Sequence, residues 1–187
     1  MIRKYGRILI IFISFLFFFA SCSSERKTIK EPIYGKYVDE IVDSYLKHIK
    51  KQYGLECFGT GGGFLSNVNN ISLHFDAPSQ KINIGNARVL LINCTEELLQ
   101  RINKNEQIRP YLEHYPFTSK GISINVIFYD YLNEKLPEEF LKGATVTEGV
   151  VYYSRYNQKT EKFEDFYKEP YSEALEKVKE SGQLQQF

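Results

Sequence analysis

The sequence predicts an α+β domain, with helices packed on a mainly antiparallel sheet of five strands. Two kinds of apolar spacing lead to this prediction. In some segments apolar residues recur every three or four positions, as on the buried side of a helix, and in others they alternate with polar residues, as in a half-buried strand. Most predicted strands follow one another without an intervening helix of roughly 10–15 residues, which favours antiparallel pairing. The predicted order of elements along the chain of 187 residues is αββαβββα.

The first helix is predicted from Gly35 to Tyr53. Its apolar residues have helical spacing and form a single stripe. Lys50 and Lys51 favour the C-terminal end of a helix, and Gly54 is a typical residue at which a helix stops. The members of the stripe are Val38, Ile41, Val42, Tyr45, Leu46 and Ile49.

Two strands joined by an Asn-rich turn are predicted next, over residues 55–65 and 71–76. The second strand alternates cleanly, with Ile71, Leu73 and Phe75 on one face and Ser72, His74 and Asp76 on the other. The glycine run 59–63 is not followed by the helix and the Lys-Ser/Thr pair that a phosphate-binding loop needs. It is more typical of a bulge, or of a sheet surface that the backbone of a helix approaches closely.

The second helix is predicted over residues 83–103, with Asn83 as its N-cap. Arg88 lies near the edge of the apolar stripe, where it either belongs to a ligand site or extends along the helix to solvent. The apolar stripe contains Ile84, Ala87, Leu91, Cys94, Leu98 and Ile102.

The C-terminal half of the chain predicts three strands and a helix. Residues 122–128 alternate as a third strand, and residues 145–156 and 162–167 are expected to form a second hairpin. A short helix is then predicted over residues 171–179, because Tyr171, Ala174, Leu175 and Val178 have helical spacing. Gly182 is the expected end of this helix.

Residues 104–120 connect the second helix to the third strand and are called the connecting segment below. This connection is longer than packing usually needs, and it contains Arg109, directly before Pro110, and Tyr111 and His114, between Pro110 and Pro116. In one interpretation Arg109 binds a carboxylate or phosphate beside aromatic rings, with Tyr111 and His114 in the same ligand site. In the other, the prolines and aromatic rings pack the segment onto the sheet, with Tyr111 or Phe117 facing the core.

The stretches Ile108–Leu112 and Tyr115–Phe117 resemble parts of an uncharacterised group of small bacterial exported proteins. That resemblance implies no activity.

The sequence gives only weak support for a disulfide, a metal site or a catalytic site. Cys57 and Cys94 form a disulfide in one interpretation, and in the other both are buried free thiols. His48, His74 and His114 have no spacing typical of zinc ligands, so we expect no metal site. No motif predicts a cofactor or a catalytic residue.

The first 21 residues have the features of an export signal. Three basic residues and no acidic one precede an apolar run, Ile8–Phe19, that is shorter than the roughly 20 residues a membrane-spanning helix needs. The sequence Phe19-Ala-Ser-Cys22 resembles the lipobox of bacterial lipoproteins. The resemblance implies transfer of diacylglycerol to Cys22, cleavage before it and acylation of the new amino terminus. The alternatives are an uncleaved anchor, or an ordinary signal beside a fortuitous cysteine.

These features divide the chain into a signal (1–21), a tether (22–34) and a single α+β domain (35–187). Without the signal the chain has 21 Lys and Arg against 23 Asp and Glu, a net charge of −2, and thus no basic surplus for binding nucleic acid. The lipoprotein resemblance implies a membrane contact through the lipid on Cys22. Because Ser23 replaces the Asp that commonly retains lipoproteins at the inner membrane, the resemblance implies the outer membrane, facing the periplasm, in a bacterium with two membranes.

The function that the sequence favours is a lipid-anchored binding or interaction module of the bacterial envelope, with a protein or small-molecule partner. One alternative is an envelope hydrolase with dispersed catalytic residues, in which His114 or His74 acts as the base. Another is a structural lipoprotein that links the membrane to other envelope components.

The lipoprotein assignment predicts the behaviour of Cys22→Ala. We expect the wild-type chain to incorporate a fatty-acid probe and to partition into detergent, because the thiol of Cys22 receives the lipid. Cys22→Ala should incorporate no probe and should accumulate as a longer precursor in an immunoblot. Equal labelling of the variant and the wild type would rule out the assignment.

Overall fold

The computed structural model describes residues 33–64, 66–77, 82–128, 140–157, 159–160 and 162–187. The predicted export signal, Cys22 and the tether up to residue 32 lie outside the described residues. In the described part of the chain, no helix has the length and apolar character needed to cross a membrane.

The described residues form an α+β structure, which confirms the predicted class. Three helices are seen in them: α1 (Ile33–Tyr53), α2 (Ile84–Lys104) and α3 (Tyr171–Glu180). The strands are β1 (Glu56–Gly63), β2 (Asn70–Asp76), β3 (Ile122–Ile127), β4 (Gly143–Thr147), β5 (Val150–Asn157) and β6 (Lys162–Pro170). All six belong to one sheet, and their order in the sheet follows their order in the chain.

The sheet has six strands because residues 145–156, predicted as one strand, belong to two. β4 and β5 form a hairpin whose two loop residues, Glu148 and Gly149, have φ angles of 49° and 75°. A two-residue loop with positive φ at both positions matches the right-handed twist of the paired strands. The sequence contains a signal for this turn, because inward-facing residues change from even to odd numbers between Val146 and Val151.

The sheet is mixed, because β2 and β3 pair in parallel. Two adjacent parallel strands need a connection that returns the chain to the starting end of the sheet. Helix α2 and the connecting segment provide that return. The other neighbouring strands are antiparallel.

Alternation within the strands places one face of the sheet in the core. The predicted inward residues of β2 and β3 are buried, and they pack with the apolar stripes of the helices. Of the predicted stripe residues, Leu46, Ile84 and Leu175 are only partly buried. The inward residues of the central strands are Ile71, Leu73, Phe75, Ile122, Ile124, Val126, Ala144, Val146, Val151 and Tyr153.

Local signals at the helix ends are confirmed. The Asn83 side chain accepts a hydrogen bond from the backbone N–H of Asn86 at 2.9 Å, as an N-cap does. Gly54 and Gly182 follow α1 and α3 and have φ angles of 68° and 69°. Glycine adopts this left-handed backbone without steric cost, which explains why both helices end there.

The glycine run lies in β1, an edge strand, and a bulge directly precedes it. The pairing of β1 with β2 shifts by one residue between Cys57 and Gly59. A Cβ atom on Gly62 would collide with the carbonyl of Asn70 and with the ring of Phe64. The close approach at Gly62 therefore comes from the next strand and a neighbouring ring, and of the two interpretations of the run the structure favours the bulge.

A buried carboxylate connects four elements. Glu169 in β6 is 2 % exposed, and its Oε1 accepts hydrogen bonds from Arg88 Nε of α2 and the Tyr153 hydroxyl of β5, both at 2.6 Å. Its Oε2 accepts from Lys177 Nζ of α3 at 2.5 Å. A buried carboxylate is stable only when its charge is balanced and its oxygens are hydrogen-bonded.

These contacts change the acidity of Glu169. Burial alone raises the pKa of its carboxyl, but the hydrogen bonds from Arg88, Lys177 and Tyr153 favour the ionised form and hold the pKa below its ordinary value of 4.5. A carboxyl with a lowered pKa in the folded state contributes stability that is complete above the unfolded-state pKa. That contribution is lost as the pH falls through the folded-state pKa.

We expect the free energy of unfolding to fall as the pH is lowered below about 4.5. Glu169→Gln should be less stable at neutral pH, and the difference between it and the wild type should shrink in acid. Urea unfolding at a series of pH values measures this difference. Glu180→Gln, at an exposed position at the end of α3, serves as the control and should follow the wild-type profile. A constant difference between Glu169→Gln and the wild type across this range would contradict the assignment.

Candidate functional site

A groove of about 610 Å³ lies between the C-terminal half of α2, the end of the connecting segment, the start of α3 and the C-terminal tail. Its volume is in the range of small-molecule sites, about 300–1,000 Å³. Both polar and apolar residues line it: Glu96, Leu99, Gln100, Asn103, Phe117, Thr118, Ser119, Tyr171, Leu184, Gln185, Gln186 and Phe187.

One side of the groove is a second stripe of α2. Glu96, Leu99, Gln100 and Asn103 are spaced at three and four residues, so they share one side of the helix. This stripe lies beside the predicted apolar stripe and was missed, because its mixed composition is typical of a solvent-exposed surface. The three- and four-residue spacing of these residues was the signal in the sequence that could have revealed the stripe.

Asn103 fixes the connecting segment against α2. Its side-chain amide donates to the Phe117 carbonyl at 2.9 Å and accepts from the Phe117 backbone N–H at 2.7 Å. These paired hydrogen bonds hold the Phe117 ring, which is buried, in the wall of the groove. The expectation that Phe117 faces inward is therefore confirmed.

The C-terminal tail is fixed by a buried amide. Asn93 of α2 is 1 % exposed; its Nδ2 donates to the Gln183 carbonyl at 3.0 Å, and its Oδ1 accepts from the Gln185 N–H at 2.9 Å. The hydroxyl of Tyr53 also donates to the side chain of Gln185 at 2.8 Å. The tail wall of the groove is thus attached to two helices.

Glu96 and Tyr171 meet at the groove. The Tyr171 hydroxyl donates to Glu96 Oε1 at 2.8 Å. Burial raises the pKa of the Tyr171 phenol, and the negative charge of Glu96 raises it further. The phenol therefore stays protonated and remains a donor to the carboxylate.

The predicted ligand residues of the connecting segment do not line the groove. Arg109 is exposed, with its guanidinium carbon 4.6 Å from the centre of the Tyr115 ring and Nη2 3.4 Å from the Asn103 carbonyl oxygen. Tyr111 is half-buried, and His114 is exposed. The structure thus brings Arg109 onto an aromatic ring but does not place it in the lining of the groove.

The connecting segment is held to the rest of the structure by its backbone. Val68 donates to the Tyr111 carbonyl at 2.8 Å and accepts from the Glu113 N–H at 3.0 Å. The Tyr111 ring packs against Tyr34 and Tyr37, with ring centres 5.6 and 6.2 Å apart. These contacts agree with the interpretation that the aromatic residues fix the segment in place.

Arg88, the fourth predicted ligand residue, binds Glu169 and does not extend to solvent. Its side chain is 18 % exposed. The ion pair with Glu169 uses Nε of Arg88, so a contact within the domain explains why an arginine lies at this position. Its partner lies 81 residues away in the sequence, which local spacing does not reveal.

Cys57 and Cys94 are both free thiols in the structure. Cys94 is buried, and burial raises the pKa of its thiol. Cys57 is only half-buried, contrary to the expectation of a core position, and its thiol donates to the Gly59 carbonyl at 3.4 Å.

His48, which the sequence did not single out, lies beside a carboxylate. Its Nε2 lies 3.5 Å from Oε2 of the buried Glu97, and Arg101 donates to the other oxygen of that carboxylate at 2.6 Å. His74 packs instead on Phe58, with ring centres 5.9 Å apart. The described residues contain no group of three or more His, Cys, Asp or Glu placed to hold a metal ion.

Comparisons of the chain with protein-family models, with curated proteins and with solved structures found no match.

The two candidate arginines should respond differently to substitution. Arg88→Ala removes one of the two cations that bind the buried Glu169, and we expect a loss of about 1.5–3 kcal/mol in the free energy of unfolding. Arg109→Ala removes an exposed ring contact and a long hydrogen bond, which should cost less than about 1 kcal/mol. Urea unfolding curves of both variants measure the difference. Losses of similar size would contradict the assigned roles.

Proposed function

We propose that this chain is a lipid-anchored envelope protein that binds a small molecule in the groove between α2, the connecting segment and the tail. The observation that carries the binding function is the groove itself. It has the volume of a ligand site, and its lining combines apolar side chains with separate hydrogen-bonding groups.

The fixed walls of the groove support this proposal. Asn103 holds Phe117 on one side, and Asn93 holds the tail at Gln183 and Gln185 on the other. A site whose walls are ordered before binding loses less conformational entropy when a ligand enters. The groove is therefore suited to binding without a large rearrangement.

The anchor in this proposal comes from the sequence. The lipobox resemblance at Phe19–Cys22 implies attachment through Cys22, and the tether then separates the lipid from the domain. We place the protein at the outer membrane of a bacterium with two membranes, facing the periplasm, with the groove open to ligands there.

The hydrolase alternative used His114 or His74 as a base. Neither residue lines the groove, and His74 contacts a phenylalanine ring. The groove is thus a better basis for a binding function than either histidine is for catalysis.

Binding can be tested with 2-phenylethanol, a small neutral probe with an apolar ring. The chain, in nanodiscs of a zwitterionic lipid, should bind it saturably in saturation-transfer NMR, with a dissociation constant on the order of 1 mM. Gln100→Trp places a large ring in the groove and should weaken binding at least tenfold.

Gln52→Trp is the matched control, because Gln52 is exposed on α1 and does not line the groove. It should bind the probe as the wild type does, and protein-free nanodiscs correct for uptake by the lipid. Absence of saturable binding to the wild type, or equal binding by Gln100→Trp, would refute the proposed site.

A further inference from the structure

Three carboxylates of the described residues lie on or against α2, and two of them are balanced by cations. Glu169 binds Arg88 and Lys177. Glu97 binds Arg101 and lies beside His48. In both cases the positive side chains compensate for the loss of hydration that burial causes.

Glu96 differs from these two residues in its partner. It is half-buried, and in the described part of the chain its side chain bonds to Tyr171, a neutral phenol. A phenol donates one hydrogen bond but does not balance a negative charge. In the described residues, the hydrogen bond from Tyr171 uses Oε1 of Glu96, and the Glu96 residue is part of the groove lining.

The composition of the groove makes this charge effective. Among the described residues that line the groove, Glu96 is the only one with a formally charged side chain. No lysine, arginine or histidine in this lining opposes it. The apolar side chains in this mixed lining reduce the local screening of the Glu96 charge by water, so the electrostatic preference for a cation increases.

From this geometry we infer that the groove binds a small organic cation, with an ammonium group at Glu96 and an apolar body against Leu99, Phe117 and Leu184. The inference rests on the proposed binding function of the same groove and names the class of its ligand. An ammonium donates hydrogen bonds to the carboxylate and supplies the missing positive charge. The aromatic ring of Tyr171 lies in the same lining and offers a second favourable contact for a cation.

Three probes with similar ring bodies and different head groups test this inference. They are 2-phenylethylamine, 2-phenylethanol and 3-phenylpropanoate, which carry an ammonium, a hydroxyl and a carboxylate. The full chain in zwitterionic nanodiscs should bind the amine about tenfold more tightly than the alcohol and should bind the carboxylate most weakly. Added salt should reduce the advantage of the amine.

Glu96→Gln tests the role of the carboxylate. The amide oxygen of glutamine still accepts from Tyr171, so the groove wall keeps its hydrogen bond while the charge is removed. Amine binding should fall about tenfold to the level of the alcohol, and alcohol binding should stay unchanged. Glu180→Gln removes an exposed charge outside the groove and should preserve the selectivity.

A second variant covers the case in which Glu96→Gln does not fold. Tyr171→Phe keeps the charge of Glu96 and removes only the phenolic hydroxyl, so it should retain the preference for the amine. Loss of that preference in the folded Tyr171→Phe protein would overturn the inference.

The outcomes separate the inference from the function on which it rests. Equal binding of amine and alcohol by the wild type would overturn the cation inference and leave the groove as a binding site. An amine preference that persists in folded Glu96→Gln would also overturn it. Failure of all three probes to bind would refute the groove itself as the binding site.

Discussion

The ion-pair network around Glu169 determines how the layers of this domain fit together. Its carboxylate is almost completely buried, and it is satisfied by groups from a strand and two helices besides its own strand. An apolar contact tolerates small displacements, whereas these short hydrogen bonds fix positions closely. The positions of α2 and α3 over β5 and β6 are therefore specified together, and the α2 side of the groove depends on them.

Helix α2 is central to this architecture, because several of its sides contact other elements. Arg88 connects it to β6, Glu97 faces His48 of α1, and Asn93 holds the tail. Its apolar stripe packs in the core. The remaining side, which carries Glu96, is the one that opens into the groove. The candidate site thus occupies a side of a central helix that is held on its other sides.

Local patterns predicted the elements of the fold better than the relations between them. Asn83 and Gly54 marked helix ends correctly, because capping depends on residues close in sequence. The turn at Glu148–Gly149 was missed, since a change of parity in a short alternating stretch is a weak signal. The partners of Arg88 and the second stripe of α2 could not be found in the same way. Both depend on which helix faces which strand, and that is decided by contacts between residues far apart in the chain.

The order of strands has a consequence for the folding pathway. Five neighbouring strand pairs join sequence neighbours, and in four of these the two strands are separated by at most 15 residues of sequence, so they pair at low entropic cost. The parallel pairing of β2 with β3 instead closes a connection of roughly 45 residues, which costs more conformational entropy. We therefore expect the β1–β2 hairpin and the β3–β6 meander to form as separate nuclei. Docking of α2 then brings the two parts of the sheet together, so that β2 and β3 can pair.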